Sequence, residues 1–506
     1  MTLTATNKKW HEAFVEVNHR KPRVLHIGNI ANNAYNNAKL LNGVGFENDV
    51  ICYDYYHIMG CPEWEDADLS EPVADSFRPA WCDCQIKGFQ RPVWFAQGPM
   101  NVCIDYLLAK RAGSATTKDL WEQLGHANLT TAHRDKGSVS ARWLKAIDRK
   151  VQSATYRTKN ILAKRPSDAF KVFVRVFGLG VGVPIGFVLA ILAMPVWRLL
   201  GAFYAVQGSD DDLLEFDKKC GELTEMWRQE FPERVDHLTS SDLSSYRFIA
   251  SRWKMLLRQY DFVVAYATDG IYPLLAGVPY IAFEHGTIRE IPYLETSQGR
   301  CAALVYREAA HVLVTNFDCR YSAEKLAPGR FSLINHPYDE DRGQAVAGSG
   351  ELQAVLRSTL ASQFICFFPT RHDWVAGTGY ADKANDVFFW ALSDLKRLGL
   401  RVGVVCCEWG ANVLESKSLI QELGLGDQVL WEQPMAMVRF ERTARACDLV
   451  VDQFKLGAFG GIVFKTLALG TPVLTFLDEN NLREQYAETP PVINCACRED
   501  VVKELS

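Results

Sequence analysis

Short apolar runs alternate with polar, helix-patterned stretches over both ends of this chain. In "RVLHIGNIANNAYNNAKLL" an apolar run at 24–27 is followed by Gly28, a polar turn and a helix-like pattern. Strand, loop and helix in that order open an α/β nucleotide-fold domain. "DVICYDYY", from Asp49, predicts the next strand, whereas the Trp-, Pro- and aromatic-rich stretch at 54–105 yields no clear order. Strand signals resume at "FVVAYA" (262–267), "PYIAFEHG" (279–286), "HVLVTN" (311–316) and "FSLINHP" (331–337). After the polar break "EDRGQAVAGSGE" a second series follows: "FICFFPTR" (364–371), "RVGVVCCEWG" (401–410), "DQVLWEQ" (427–433), "CDLVVDQF" (447–454) and "TPVLTFLD" (471–478). The pattern predicts two consecutive α/β domains, 1–340 and 341–506, joined by a linker near 338–352.

One segment breaks the rhythm. Residues 176–197, "VFGLGVGVPIGFVLAILAMPVW", carry no charge, and residues 134–175 just before them hold twelve Lys and Arg against three Asp. About 20 apolar residues suffice to span a bilayer. A single crossing, however, would put strands of one sheet on opposite sides of the membrane. Pro184 and Pro195 also leave "IGFVLAILAM" as the longest uninterrupted piece, about half the hydrocarbon thickness as a helix. The expectation is a helical, apolar and basic insertion in the first domain, at about 106–215. It would rest on an anionic membrane surface through 134–200 as a shallow hairpin or interfacial helix, each Lys or Arg adding about 1 kcal/mol of attraction. A buried helical hairpin with a solvated basic face, or a pair of spans, are the alternatives.

Composition narrows the partners. The 506 residues carry a net charge of -5, which gives no general attraction to nucleic acid. The fourteen cysteines lack the two-residue spacing of zinc or redox motifs and read as reduced thiols. The N-terminal stretch has no apolar signal core, so the expected location is cytoplasmic, peripheral or monotopic on the inner membrane face.

The chemistry concentrates in the second series. "FFPTRHDWVAGTGYADKANDVFFWAL" places Arg371 just after a strand and Lys383 twelve residues on, at the start of a helix. Such a basic pair beside a helix N-terminus suits a diphosphate. "DLVVDQFKLGAFGGIVFKTLALGTPVL" runs strand, glycine-rich loop, helix, strand, with Gly457, Gly460 and Gly461 allowing close backbone approach to an anion.

These two stretches resemble the donor-side motifs of GT-B glycosyltransferases, in particular the retaining, family 4-like group that includes sugar transferases of cell-surface glycan synthesis. The first is similar to that family's Arg-then-Lys pyrophosphate motif. The second is similar to its glycine loop and following helix, through Phe459, Gly460, Ala468, Gly470, Pro472 and Val473. The likeness covers about 262–495 and, before that, only the opening strand and loop. It departs from the family at Gly457 and Lys465, where two glutamates eight residues apart are usual. Lys465 would meet a phosphate or sugar carboxylate, or stay solvated, and Asp452 would supply an acidic contact.

The resemblance implies two Rossmann-like domains and a hexosyltransferase-like enzyme, with GT-B proteins generally continuing into further helices after the last strand. It implies that His285, beside Glu284 in "AFEHGT", faces the donor sugar, with these two as the catalytic pair. Gly28, Asn29, Asn32 and Asn33 would line the acceptor side, and Glu408 in "CCEWG" is a candidate nucleotide contact. The expected partners are a nucleotide diphosphate sugar and a lipid-linked or glycan acceptor, with no cofactor and no metal. A non-catalytic membrane scaffold, a nucleotide-sugar sensor and a nucleotide-sugar epimerase are the rival readings.

Overall fold

The computed structural model describes residues 5–133, 210–376 and 382–506, apart from 70, 82, 83, 85, 88, 285, 484, 485 and 487. The strands of the first half are β1 (Arg23–Ile27), β2 (Glu47–Tyr53), β3 (Asp68–Leu69), β4 (Ile86–Lys87), β5 (Phe95–Gly98), β6 (Phe262–Tyr266), β7 (Ile281–Glu284), β8 (His311–Val314) and β9 (Phe331–Leu333). Those of the second half are β10 (Phe364–Phe368), β11 (Val402–Cys407), β12 (Val429–Glu432), β13 (Leu449–Val451), β14 (Val473–Thr475) and β15 (Ile493–Asn494).

They form two parallel sheets, ordered β5-β2-β1-β6-β7-β8-β9 and β12-β11-β10-β13-β14-β15, and a small antiparallel β3–β4 pair. In both sheets the first strand lies centrally and the chain winds outward first to one side, then to the other. This is the doubly wound Rossmann order, so the expected class, two consecutive α/β domains, is the one observed. Helices cover both faces, which is why β11 is buried along its whole length and reads in sequence as an unbroken apolar run.

The strands are shorter than the apolar runs suggest, because the C-terminal residues of most runs turn out of the sheet into loops. The 54–105 stretch, left unordered by pattern alone, holds β3, β4 and β5. Its turn at Ile58–Ala67, with Leu69 and Trp81, forms an apolar cluster that takes in Ala436 of the second domain. The helix Met437–Ala446 docks beside it, against Pro62–Asp66 and β3. Arg342, in the linker, closes this contact by pairing with Asp66 at 2.6 Å, Glu441 at 3.1 Å and Glu65 at 3.6 Å. Arg442 adds a pair with Asp68 at 2.7 Å.

The flanks of the expected insertion are ordinary domain structure. Helices Thr117–His133 and Asp210–Glu230 place Leu124, Phe216, Leu223 and Trp227 in the main core of the first domain. The basic and apolar stretch proper, 134–209, lies outside the described residues. Among the described residues no helix is long and apolar enough to cross a membrane.

Candidate functional site

In a doubly wound sheet, the loops after the first and fourth strands diverge to opposite faces and leave a crevice at the strands' carboxyl ends. In the second domain that crevice lies between the loops after β10 and β13, and it gathers the residues singled out on the donor side. Lys383 is pinned there through its backbone: its N–H donates to Asp373 O at 2.6 Å, and its carbonyl accepts from Phe454 N at 3.0 Å. One neighbour belongs to each of the two loops, so the side chain is held between them. Lys383 lies two residues ahead of the helix Asn385–Arg397, with Ala384 left-handed (φ 49°) in between.

Asp452, only 5% exposed, ends β13 and accepts from Thr370 Oγ1 at 2.7 Å. Burial raises its carboxyl, and the Lys383 ammonium acts in the opposite direction. Burial likewise lowers the Lys383 ammonium, helped by the charges of Arg371 and Arg289, while Asp452 and Asp373 offset it. Arg371 ion-pairs with Asp373, whose Oδ1 also accepts from Ala411 N at 2.8 Å. Its neighbour His372 is buried with Nδ1 3.0 Å from Ser416 Oγ, and burial holds it down to about 4, so it adds no charge at neutral pH.

The glycine loop divides. Gly460 precedes the helix Gly461–Ala468, whose N-terminus no side chain caps. A Cβ on Gly460 would sit 3.7 Å from Asp452 Oδ2, which places this helix start beside the Lys383–Asp452 pair. A Cβ on Gly461 would meet only Phe464, at 3.9 Å. Gly457, expected against the anion, is turned the other way. Its φ is +69°, a Cβ would lie 3.0 Å from that of Asp478, and its carbonyl accepts from Asp478 N. A tight turn is therefore what requires this glycine. Lys465 is half-buried on the helix, and Glu408 is held aside by Lys417 (2.6 Å) and Gln433 (2.9 Å).

From the first domain, the charge of Arg289 adds the smallest share to the lowering of the Lys383 ammonium. Pattern gave no signal for Arg289, which stands in the turn after the "EHGT" strand and ion-pairs with Asp318. His285 lies outside the described residues. Glu284 does not reach the cleft: it is 0% exposed and its carboxylate accepts from Tyr306 Oη and Gly286 N. Its position suits it to shaping the 284–286 turn rather than touching substrate.

The asparagines expected on the acceptor side are also buried. Asn29 donates to Gly60 O and Asn32 Oδ1, both at 2.9 Å, Asn32 to Cys61 O at 3.0 Å, and Asn33 to Ile30 O at 3.1 Å. Asn29 and Asn32 tie the loop after β1 to the 60–61 turn, and Asn33 closes that loop on itself. Gly28 itself lies at the crevice of the first sheet, under the side chain of Asp269.

Backbone strain marks the same rims. Of the seven non-glycine residues with positive φ among the described residues, five (Ala31, Asn32, Asp54, Ala267, Ala384) lie on loops at the strands' carboxyl ends. Each such conformation costs about 1–3 kcal/mol and persists where the surroundings enforce it, as at binding and catalytic sites. Among the described residues no group of three or more His, Cys, Asp or Glu is placed to hold a metal ion.

No family model matches the chain, and no curated protein matches it in sequence. Among solved structures it is similar to HepE of Anabaena in complex with UDP and glucose, at 15% identity over 52% of this chain and 72% of that one, with a TM-score of 0.40. It is similar to the catalytic domain of starch synthase IV from Arabidopsis thaliana bound to ADP and acarbose, at 9% identity over 95% and 90%, TM-score 0.42. It is also similar to S. aureus MnaA with UDP, at 13% identity over 53% and 72%, TM-score 0.35. Likeness at these scores decides neither family nor chemistry, which must rest on the chain's own geometry.

Proposed function

We propose that the chain is a glycosyltransferase that moves a sugar from a nucleoside diphosphate donor to a hydroxyl of a glycan or lipid-linked acceptor. The observation that carries this reading is the convergence of Lys383, Arg371 and the uncapped helix start at Gly460–Gly461 on one crevice. Cations and free N–H groups together stabilise the charge that grows on a departing diphosphate. Closure of the two domains would exclude the water that otherwise hydrolyses the donor.

The test is a panel of carbon-14-labelled UDP-, GDP- and ADP-hexoses incubated with the purified protein, with and without membrane extract as acceptor. The reading predicts label transferred only when extract is present. Interconversion of free nucleotide sugar without acceptor would indicate an epimerase, and binding without turnover a sensor or scaffold; either result rejects the reading.

The acceptor side is proposed to lie at a membrane on its cytoplasmic face, because the basic and apolar sequence at 134–200 combines charge attraction with apolar insertion. Deleting 171–200 is expected to shift the protein from the membrane fraction to the supernatant on cell fractionation. Unchanged distribution would remove the membrane from the account.

A further inference from the structure

β5 is an edge strand of the first sheet, and a cavity of about 460 Å³ is built along it. No residue of the donor crevice lines this cavity. Its inner wall is apolar and held in place. Phe95 of β5 and Leu124 of the helix Thr117–His133 are buried there. Trp81, also buried, hydrogen-bonds Cys61, and Trp121 packs on Tyr106 with ring centres 5.2 Å apart.

Four polar side chains reach the lining, and most of their capacity is already taken. Arg91 grips both oxygens of Glu63, Nε at 2.9 Å and Nη2 at 2.8 Å, so this pair brings no net charge. Gln97 Nε2 donates to Tyr55 O at 2.8 Å, and Gln90 is exposed to solvent. What remains at depth is Arg91 Nη1, buried and without an acceptor among the described residues. One such donor serves a single oxygen of a ligand or a water. A sugar ring would bring several hydroxyls and leave most of them unpaired against tryptophan and phenylalanine, which costs binding. A hydrocarbon chain has none to satisfy.

The mouth carries a glycine that the helix itself does not need. Gly125 stands in mid-helix, where glycine weakens the helix, and a Cβ on it would meet nothing within 4 Å. Neither a turn nor close packing requires it, whereas an open mouth does. Gly125 and Val93, 56% exposed, leave the cavity open to solvent. The helix continues for about 12 Å past Gly125 to His133, where the basic sequence at 134–175 and the apolar sequence at 176–197 follow.

From this geometry we propose that the cavity is a lipid-chain site, which takes one hydrocarbon chain of a membrane lipid past Gly125 and Val93 onto Trp81, Phe95, Trp121 and Leu124. The inference rests on the membrane reading of 134–200 and is independent of sugar transfer. The size suits the role: pockets that enclose small molecules hold about 300–1,000 Å³ and are walled mostly by hydrophobic and aromatic side chains. Each methylene withdrawn from water adds to the hold on the chain. An isoprenoid phosphate carrier and an acyl phospholipid are the two sources of such a chain, and they share the chemistry that these walls recognise.

The test titrates the full-length protein with farnesyl phosphate and with oleoyl lysophosphatidylglycerol, each below its micelle threshold, and follows tryptophan emission and heat. Saturable one-to-one binding of at least one probe is expected, with a blue shift as Trp121 leaves water. A stronger response to farnesyl phosphate assigns the chain to an isoprenoid carrier, and a stronger response to the lysolipid assigns it to a bilayer phospholipid; both support the site. Gly125→Phe should weaken binding at least tenfold by filling the mouth, while Gly125→Ala stays within threefold. Val93→Glu, a change at an exposed position that leaves the core intact, should weaken binding by a similar factor to Gly125→Phe. Affinity for UDP, GDP or ADP should stay within twofold in all three variants. Saturable binding of neither probe, binding unaltered by both Gly125→Phe and Val93→Glu, or displacement of the probe by maltose overturns the inference. In each of these cases a shift to the supernatant on deleting 171–200 would still uphold the membrane reading.

Discussion

Lys383→Ala is expected to cut transfer 10²–10³-fold and to weaken nucleoside diphosphate binding while leaving the bare nucleoside bound as before. Removing one preorganised donor from a developing oxyanion typically costs about 2.7–4 kcal/mol. In this crevice the loss is compounded, because Asp452 lies buried beside Lys383 and would face the phosphates without its counter-charge. Arg371→Ala should cost less, since that side chain is 31% exposed and already shares its charge with Asp373. The double variant Lys383→Ala with Asp452→Asn removes the orphaned carboxylate. Part of the lost affinity should return if repulsion contributes, whereas a purely structural role for Lys383 would show as equal loss for nucleoside and diphosphate. Calorimetry with a nucleoside, its monophosphate and its diphosphate separates the two.

Arg342→Met is expected to loosen the seating of the two domains. The arginine satisfies Glu65 and Glu441, whose side chains are each 4% exposed, and shares Asp66 with Lys39 at 2.8 Å. Burial already raises the Glu441 carboxyl, against the pull of Arg342 and a hydrogen bond from Tyr338. Deleting one partner of a buried ionic cluster leaves uncompensated charge and costs roughly 3–5 kcal/mol. The cost should fall on the interface rather than on either core. The radius of gyration from solution scattering should rise and the linker should become sensitive to protease, while each domain melts near its original temperature. Glu441→Gln in the same chain should restore part of the compact form. A scattering profile identical to that of the unaltered protein would contradict this role for Arg342.

The sheets were legible in the sequence because parallel strands covered on both faces leave continuous apolar runs, as in β11 and Val50–Cys52 of β2. β5, "FAQG", and the two-residue β15 left no such trace: one carries a polar residue among four, and the other is too short for any period. On the donor side, Arg371, Lys383 and Asp452 converge because strand order brings the ends of β10 and β13 together, and a strand-by-strand reading anticipates that. The roles of Gly457, Glu284 and the asparagines after Gly28 were hidden because sequence position places a residue at a loop but does not aim its side chain. Arg289 was invisible for the opposite reason. It sits in a polar turn of ordinary composition, and its significance comes from a neighbour distant in sequence, Lys383.

Electron density for a nucleoside diphosphate soaked into crystals of the protein is the measurement nearest to the centre of this account. The distal phosphate is expected within hydrogen-bonding reach of the Lys383 Nζ, the Arg371 guanidinium and the backbone N–H groups at 460–462. A nucleotide seated on another surface, with those groups untouched, would contradict it.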